Sequence, residues 1–118
     1  MPRTSDVSDA PPHPAVGLDD VIHQRVRLGM LVMLAEIPEC AFSTLRNELQ
    51  LTDGNLNRHV QVLADAGLVT VNKGYEGNRP RTWLKLTQDG RRALRAELLA
   101  LEQLTARLKS ADLDDPQG

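Results

Sequence analysis

Between Thr52 and Gln61 the chain reads "TDGNLNRHVQ". Ten residues thus carry the amides of Asn55, Asn57 and Gln61, the guanidinium of Arg58 and the imidazole of His59. An Asn or Gln amide presents a donor beside an acceptor, which matches the major-groove edge of adenine. An Arg fork matches guanine or a phosphate. No residue set in the chain is arranged for breaking covalent bonds. There is no P-loop, no G-x-S-x-G and no metal-ligand pair at helical spacing. "GYEGNRP" is not a phosphate-binding glycine loop, because no helix follows it directly. His13 and His23 stand isolated in sequence. Cys40 is the single cysteine, which excludes an internal disulfide and a multi-cysteine metal site. Its neighbours Glu39 and Ala41 supply no positive charge to lower a thiol pKa, so it reads as a small buried hydrophobe. No enzyme, cofactor or metal is expected.

The placement of these groups is costly. Gly54, Asn55 and Asn57 open what is otherwise an amphipathic helix, and Gly costs about 1 kcal/mol there relative to Ala. A second polar set follows in Lys73, Arg79, Arg81 and Lys85, with Pro80 holding the two arginines apart and pointing outward. The formal charge of the chain is −2, but its distribution matters more than its sum. Residues 46–95 hold nine basic groups against five acidic ones, a net of +4. Residues 1–20 hold four acidic groups against one basic, and residues 96–118 five against two, so each end carries −3. A basic centre lies between acidic ends.

The 118 residues predict one domain. Four of the chain's prolines (Pro2, Pro11, Pro12 and Pro14) and few large apolar groups make residues 1–17 a disordered tail. The pattern turns helical from Leu18 and stays so to Glu36, where Pro38 stops it. "GMLVMLA" within that helix is apolar nearly all round, so a second subunit is expected against one side. "CAFS" is long enough only for a bridging strand, and Ser43 is expected to cap a helix to Leu49. Thr52 caps the next helix, which buries Leu56, Val60 and Leu63 on one face and ends at Gly67. The tight connection at Gln50–Leu51 makes the two a helix-turn-helix. "LVTVNK" and "RTWLKL" alternate around "GYEGNRP" as a hairpin with a glycine-containing loop. Thr87 caps a last helix with a leucine stripe at Leu94, Leu98, Leu101, Leu104 and Leu108. The fold class is mostly α with a small β-hairpin (α+β).

In this order of elements, "LTDGNLNRHVQVLADAGLVTVNKGYEGNRPRTWLKLTQDGRRAL" resembles the core of winged helix-turn-helix transcriptional regulators, nearest the small MarR/ArsR-like group. The run from Thr52 to Gly90 carries the resemblance most specifically. It implies a homodimeric repressor that binds double-stranded DNA with a recognition helix at about 52–66 and a wing at about 73–82. The weak helix start then has a reason: near DNA, reach and hydrogen-bonding groups matter more than propensity, and Gly54 lets the backbone come close. The expected DNA-binding residues are Thr52, Asp53, Gly54, Asn55, Asn57, Arg58, His59, Gln61, Lys73, Arg79 and Arg81. His59 matches a histidine often found in the recognition helix of ArsR-like proteins, either on phosphate or half-buried in the turn. Trp83 stands where the family usually has a small residue; it packs under the last helix or on a partner.

The dimer interface is expected from Val26, Met30, Met33, Leu94, Leu98, Leu101, Leu104 and Leu108. The domain expected is a winged helix over 18–109, with an acidic tail at 110–118. No apolar run reaches the roughly 18 residues of a membrane span, and no cationic start followed by an apolar stretch marks a signal peptide. A cytoplasmic location is expected, with no membrane partner. A winged-helix module that binds protein instead of DNA is the alternative reading. The basic centre favours DNA, and the effector is left unassigned.

Overall fold

The computed structural model describes residues 11–111 and residue 113. Three helices, a short strand and a hairpin lead into a long last helix: α1 Arg25–Glu36, β1 Cys40–Ala41, α2 Phe42–Glu48, α3 Asp53–Asp65, β2 Val69–Glu76, β3 Arg79–Leu86 and α4 Gln88–Ala111. The sheet order is β1-β3-β2, antiparallel throughout, with Cys40 opposite Leu84 and Val69 opposite Leu86. This is a winged helix-turn-helix.

The first helix begins later than the apolar spacing predicts. Residues 18–24 form a turn, in which the Asp19 side chain accepts the Val21 N–H at 2.8 Å and Ile22 N–H bonds the Asp19 carbonyl at 3.0 Å. Asp prefers such local bonds to helix. Ile22 is still buried, so its apolar character is used by packing and not by helix. The Gln24 side chain caps α1 by accepting the Arg27 N–H at 2.9 Å. Upstream, Pro14–Gly17 forms a 3₁₀ turn against α4, where the expectation was a disordered tail to residue 17; residues 1–10 lie outside the described residues.

The α1 helix is apolar on several sides because it packs against α3, α4 and β3 of its own chain. Val26, Met30, Leu31 and Leu34 are all buried. A second subunit is not needed to explain them. Pro38 stops the helix, and Ile37 before it is extended at φ −117°. α2 starts one residue before Ser43, with Ala41 at its N-cap and no side-chain cap, so the expected Ser43 cap is not made.

The turn between α2 and α3 places Gln50 at φ 55°, in the left-handed region. Thr52 then caps α3 as expected, its hydroxyl accepting the Asn55 N–H at 3.1 Å. Leu56, Val60 and Leu63 form the buried face. The helix ends in a paired motif: Gly67 N–H to Ala64 carbonyl at 2.9 Å and Leu68 N–H to Leu63 carbonyl at 3.0 Å. Together these satisfy two of the last carbonyls.

The hairpin is longer than the spacing implied. Glu76 pairs with Arg79, leaving only Gly77–Asn78 as the turn. Gly77 sits at φ +64°, as the first central residue of a two-residue hairpin requires. Thr87 ties the module together: it donates to the Gly67 carbonyl at 2.7 Å and accepts the Gly90 N–H at 2.9 Å as the cap of α4. α4 runs to Ala111, two residues into the expected acidic tail.

Glu97 on α4 is the one charged group among the buried side chains described. Its Oε1 accepts the Asp19 N–H at 3.0 Å, and its Oε2 lies 2.8 Å from His23 Nδ1. A buried carboxylate needs such partners, and these hold the 18–24 turn onto α4.

Candidate nucleic-acid interface

α3 buries its apolar face and leaves Asp53, Gly54, Asn55, Asn57, Arg58 and Gln61 exposed together, with Thr52 before them. Two of the long side chains are lightly tethered: Arg58 donates to Asn55 Oδ1 at 3.3 Å and Gln61 to Asp65 Oδ1 at 3.0 Å. Exposed contacts of this kind are weak and are readily exchanged for a ligand. The N-terminus of α3 is partly occupied, since Thr52 takes the Asn55 N–H and Asp53 adds a carboxylate in the first turn.

His59 is half-buried at the edge of this surface. Its Nδ1 lies 3.2 Å from Arg27 Nη1. Arginine can only donate, so Nδ1 accepts and the ring proton sits on Nε2. Arg27 also donates to the Val21 carbonyl at 2.5 Å and the Asp20 carbonyl at 3.4 Å. One guanidinium therefore joins the 18–24 turn to α3. Burial, followed by the charges of Arg27 and Arg58, lowers the His59 pKa from its ordinary value. Of the two expectations for His59, the half-buried polar role describes its surroundings.

The wing presents Arg79, Arg81, Trp83 and Lys85 on one face and Leu84 and Leu86 on the other. The two arginines do not both point outward, as the sequence had implied. Arg79 is exposed, but Arg81 is turned toward α2. Its Nη1 donates to Ser43 Oγ at 3.4 Å, and its Nε lies 3.1 Å from Glu76 Oε1, at ion-pair distance but outside hydrogen-bond geometry. The Trp83 ring lies over Gly74 of the wing, where an added Cβ would be 3.2 Å from Cζ3. Lys73 and Tyr75 on β2 are exposed, Tyr75 by 72%.

Between α2 and the wing lies an open cleft of about 290 Å³, lined among others by Phe42, Ser43, Arg46, Arg79 and Arg81. Arg46 bonds Asp53 Oδ1 at 2.8 Å, linking α2 to the first residue of α3. Ser43 and Arg46 carry no sequence signature for this role. Their distance from the wing, nearly forty residues along the chain, hides a proximity that only the α2–β3 packing creates.

Cys40 is buried, and burial followed by Glu48 raises its thiol pKa. Among the described residues no group of three His, Cys, Asp or Glu side chains is placed to hold a metal. Of the residues expected at a dimer interface, Val26, Met30 and Leu94 lie in the chain's own core. Met33, Leu101 and Leu104 are half-buried, while Leu98 and Leu108 are about half exposed, together with Leu99.

A capped helix with an exposed polar face, beside a basic hairpin, defines a winged helix-turn-helix of the DNA-binding regulator type. Residues 26–105 match the family described as "Winged helix DNA-binding domain", and the chain belongs to that family. An uncharacterized protein of Methanocaldococcus jannaschii is 32% identical over 89 residues, covering 75% of this chain and 97% of that protein. A transcriptional regulator homologue from Pyrococcus horikoshii superposes with a TM-score of 0.64 at 33% identity, over 79% of this chain and 89% of the other. The Mycobacterium tuberculosis transcriptional regulator MOSR, solved in complex with DNA, shares the fold at 20% identity and a TM-score of 0.64, over 88% and 74% of the two chains. Two of these three proteins carry the description of a transcriptional regulator or regulator homologue.

Proposed function

We propose that the chain is a sequence-specific double-stranded DNA-binding transcriptional regulator, a cytoplasmic homodimer that represses by occupying its site. The observation that carries this reading is the exposed polar face of α3, Asn55 to Gln61, set beside a wing and cleft that hold three arginines. An α3 laid in the major groove brings amide and guanidinium groups to base edges. The wing and the cleft arginines then face the flanking backbone. The transcriptional regulators that share this fold support the reading. The exposed leucines of α4 support a two-fold partner, because one core needs only one stripe of that helix.

The test is a gel-shift or anisotropy titration of the full chain against genomic fragments, repeated across salt. Binding that falls linearly with log salt, with one class of fragment bound far more tightly than random duplex, is the expected result. Equal binding to every fragment would remove sequence specificity, and no binding at low salt would remove DNA as the partner.

A further inference from the structure

We propose that the cleft between α2 and the wing seats one phosphate of the DNA backbone, held by Arg46, Arg81 and the Ser43 hydroxyl. The inference rests on the DNA-binding reading above and names the part of DNA that this wall of the interface takes.

The lining is chemically one-sided. The guanidiniums of three arginines and the hydroxyl residues Ser43 and Thr82 line about 290 Å³, with no carboxylate among the lining residues. Such a set offers donors and positive charge and fits an oxyanion, which Arg grips through two parallel N–H bonds. The acidic partners lie to the side: Asp53 holds Arg46 at 2.8 Å and Glu76 holds Arg81 at 3.1 Å. The Asp53 and Glu76 side chains are 72% and 67% exposed. Exposed ion pairs of this kind contribute little, so a phosphate can replace them. The Glu76 pair is also imperfect: Arg81 Nε faces Glu76 Oε1 at ion-pair distance without hydrogen-bond geometry, so it competes weakly with a ligand for the guanidinium.

Position selects DNA over a small free anion. The cleft adjoins the first residue of α3 through Arg46–Asp53 and the wing through Arg79 and Arg81. With α3 against base edges, the strand bordering the groove passes between these two elements. Phosphate contacts there set register without reading sequence.

The experiment is a salt titration of the full chain, by anisotropy, on a short random-sequence duplex and on the tightest genomic fragment. In Arg46→Gln the slope of log affinity against log salt is expected to shrink by about 0.9 for each cleft engaged, equally on both duplexes. Arg46→Lys is expected to keep most of the slope. Ser43→Glu, which puts a carboxylate in the cleft, is expected to weaken both duplexes alike, and it decides the matter should Arg46→Gln not fold. Millimolar inorganic phosphate at constant ionic strength is expected to leave wild-type binding unchanged. The cleft proposal is overturned if wild type binds duplex while Arg46→Gln keeps its slope, or Ser43→Glu its affinity. It is overturned equally if inorganic phosphate displaces the duplex from wild type but not from Arg46→Gln, which would make the cleft a free-anion site. Failure of wild type to bind any duplex is a different result and overturns the functional reading itself.

Discussion

Arg58 and Arg46 are both arginines of the helix-turn-helix, yet their surroundings differ. Arg58 stands exposed on α3, tethered only by a 3.3 Å bond to Asn55, so it is free to reach a base edge. Arg46 is held at the cleft wall. Arg58→Ala is therefore expected to lower the ratio of specific to random binding by about 1–3 kcal/mol, the worth of one bidentate base contact. Parallel titrations on the best fragment and on random duplex check this; an unchanged ratio would make Arg58 a solvated side chain. His59 carries a prediction about pH. Its folded-state pKa is lowered, by burial first and by Arg27 and Arg58 next. Well above the ordinary 6.5 the ring is neutral in both the folded and the unfolded chain and contributes no pH dependence. As pH falls below the ordinary 6.5 the unfolded chain takes the proton first, so stability declines until the folded-state pKa is passed. Denaturant melts at neutral and mildly acid pH should show a smaller acid loss in His59→Gln than in wild type. Equal losses would show that His59 does not contribute.

At the scale of elements, two helical glycines separate function from packing. An added Cβ at Gly54 meets nothing within 4 Å. Gly54→Ala should therefore stabilise the fold by about 1 kcal/mol, the propensity difference alone. If the α3 backbone approaches DNA, the same substitution should weaken binding. A variant with a higher denaturation midpoint and undiminished DNA affinity would show that Gly54 is not there for close approach. Gly90 in α4 is the reverse case. A Cβ there would collide with the Leu68 carbonyl oxygen and lie 2.6 Å from Leu86 Cδ1. Gly90→Ala should destabilise by about 1–3 kcal/mol despite its better propensity, read as a lower midpoint in the same melts. The Asn55–Asn57 segment and the α3 cap were legible because capping and apolar spacing are local. The start of α1 was not. Leu18, Val21 and Ile22 carry helical spacing, but Asp19 captures the backbone in a turn and Glu97, far along the chain, holds that turn in place.

For the whole molecule the expected assembly is a two-fold dimer through α4. Its 24 residues span about 36 Å at 1.5 Å per residue, and Leu98, Leu99 and Leu108 are about half exposed along it. Leu108→Asp is expected to shift the mass found by light scattering toward the monomer without lowering helix content, because Leu108 lies outside the chain's own core. A wild-type monomer at micromolar concentration would remove the dimer from the reading. A dimer should also protect two half-sites roughly 34–36 Å apart in a near-palindrome, which footprinting would show.

Taken alone, the sequence determined the class of this protein. The Thr52 cap, the Leu56–Val60–Leu63 face, the Gly67 stop, the paired β-strands and the basic centre are all encoded within a few residues of one another. Local encoding follows from short-range physics: helix caps, period and turn chemistry act over one or two turns of chain. Only the tertiary structure decided which apolar residues serve the core and which stay exposed. Val26, Met30 and Leu94 have the same character as Leu98 and Leu108, and they differ only in what packs against them. It also decided that Arg81 turns inward while Arg79 stays out, and that Ser43 and Arg46 meet the wing. Those facts depend on contacts between residues distant in sequence, where spacing along the chain carries no information about spacing in space.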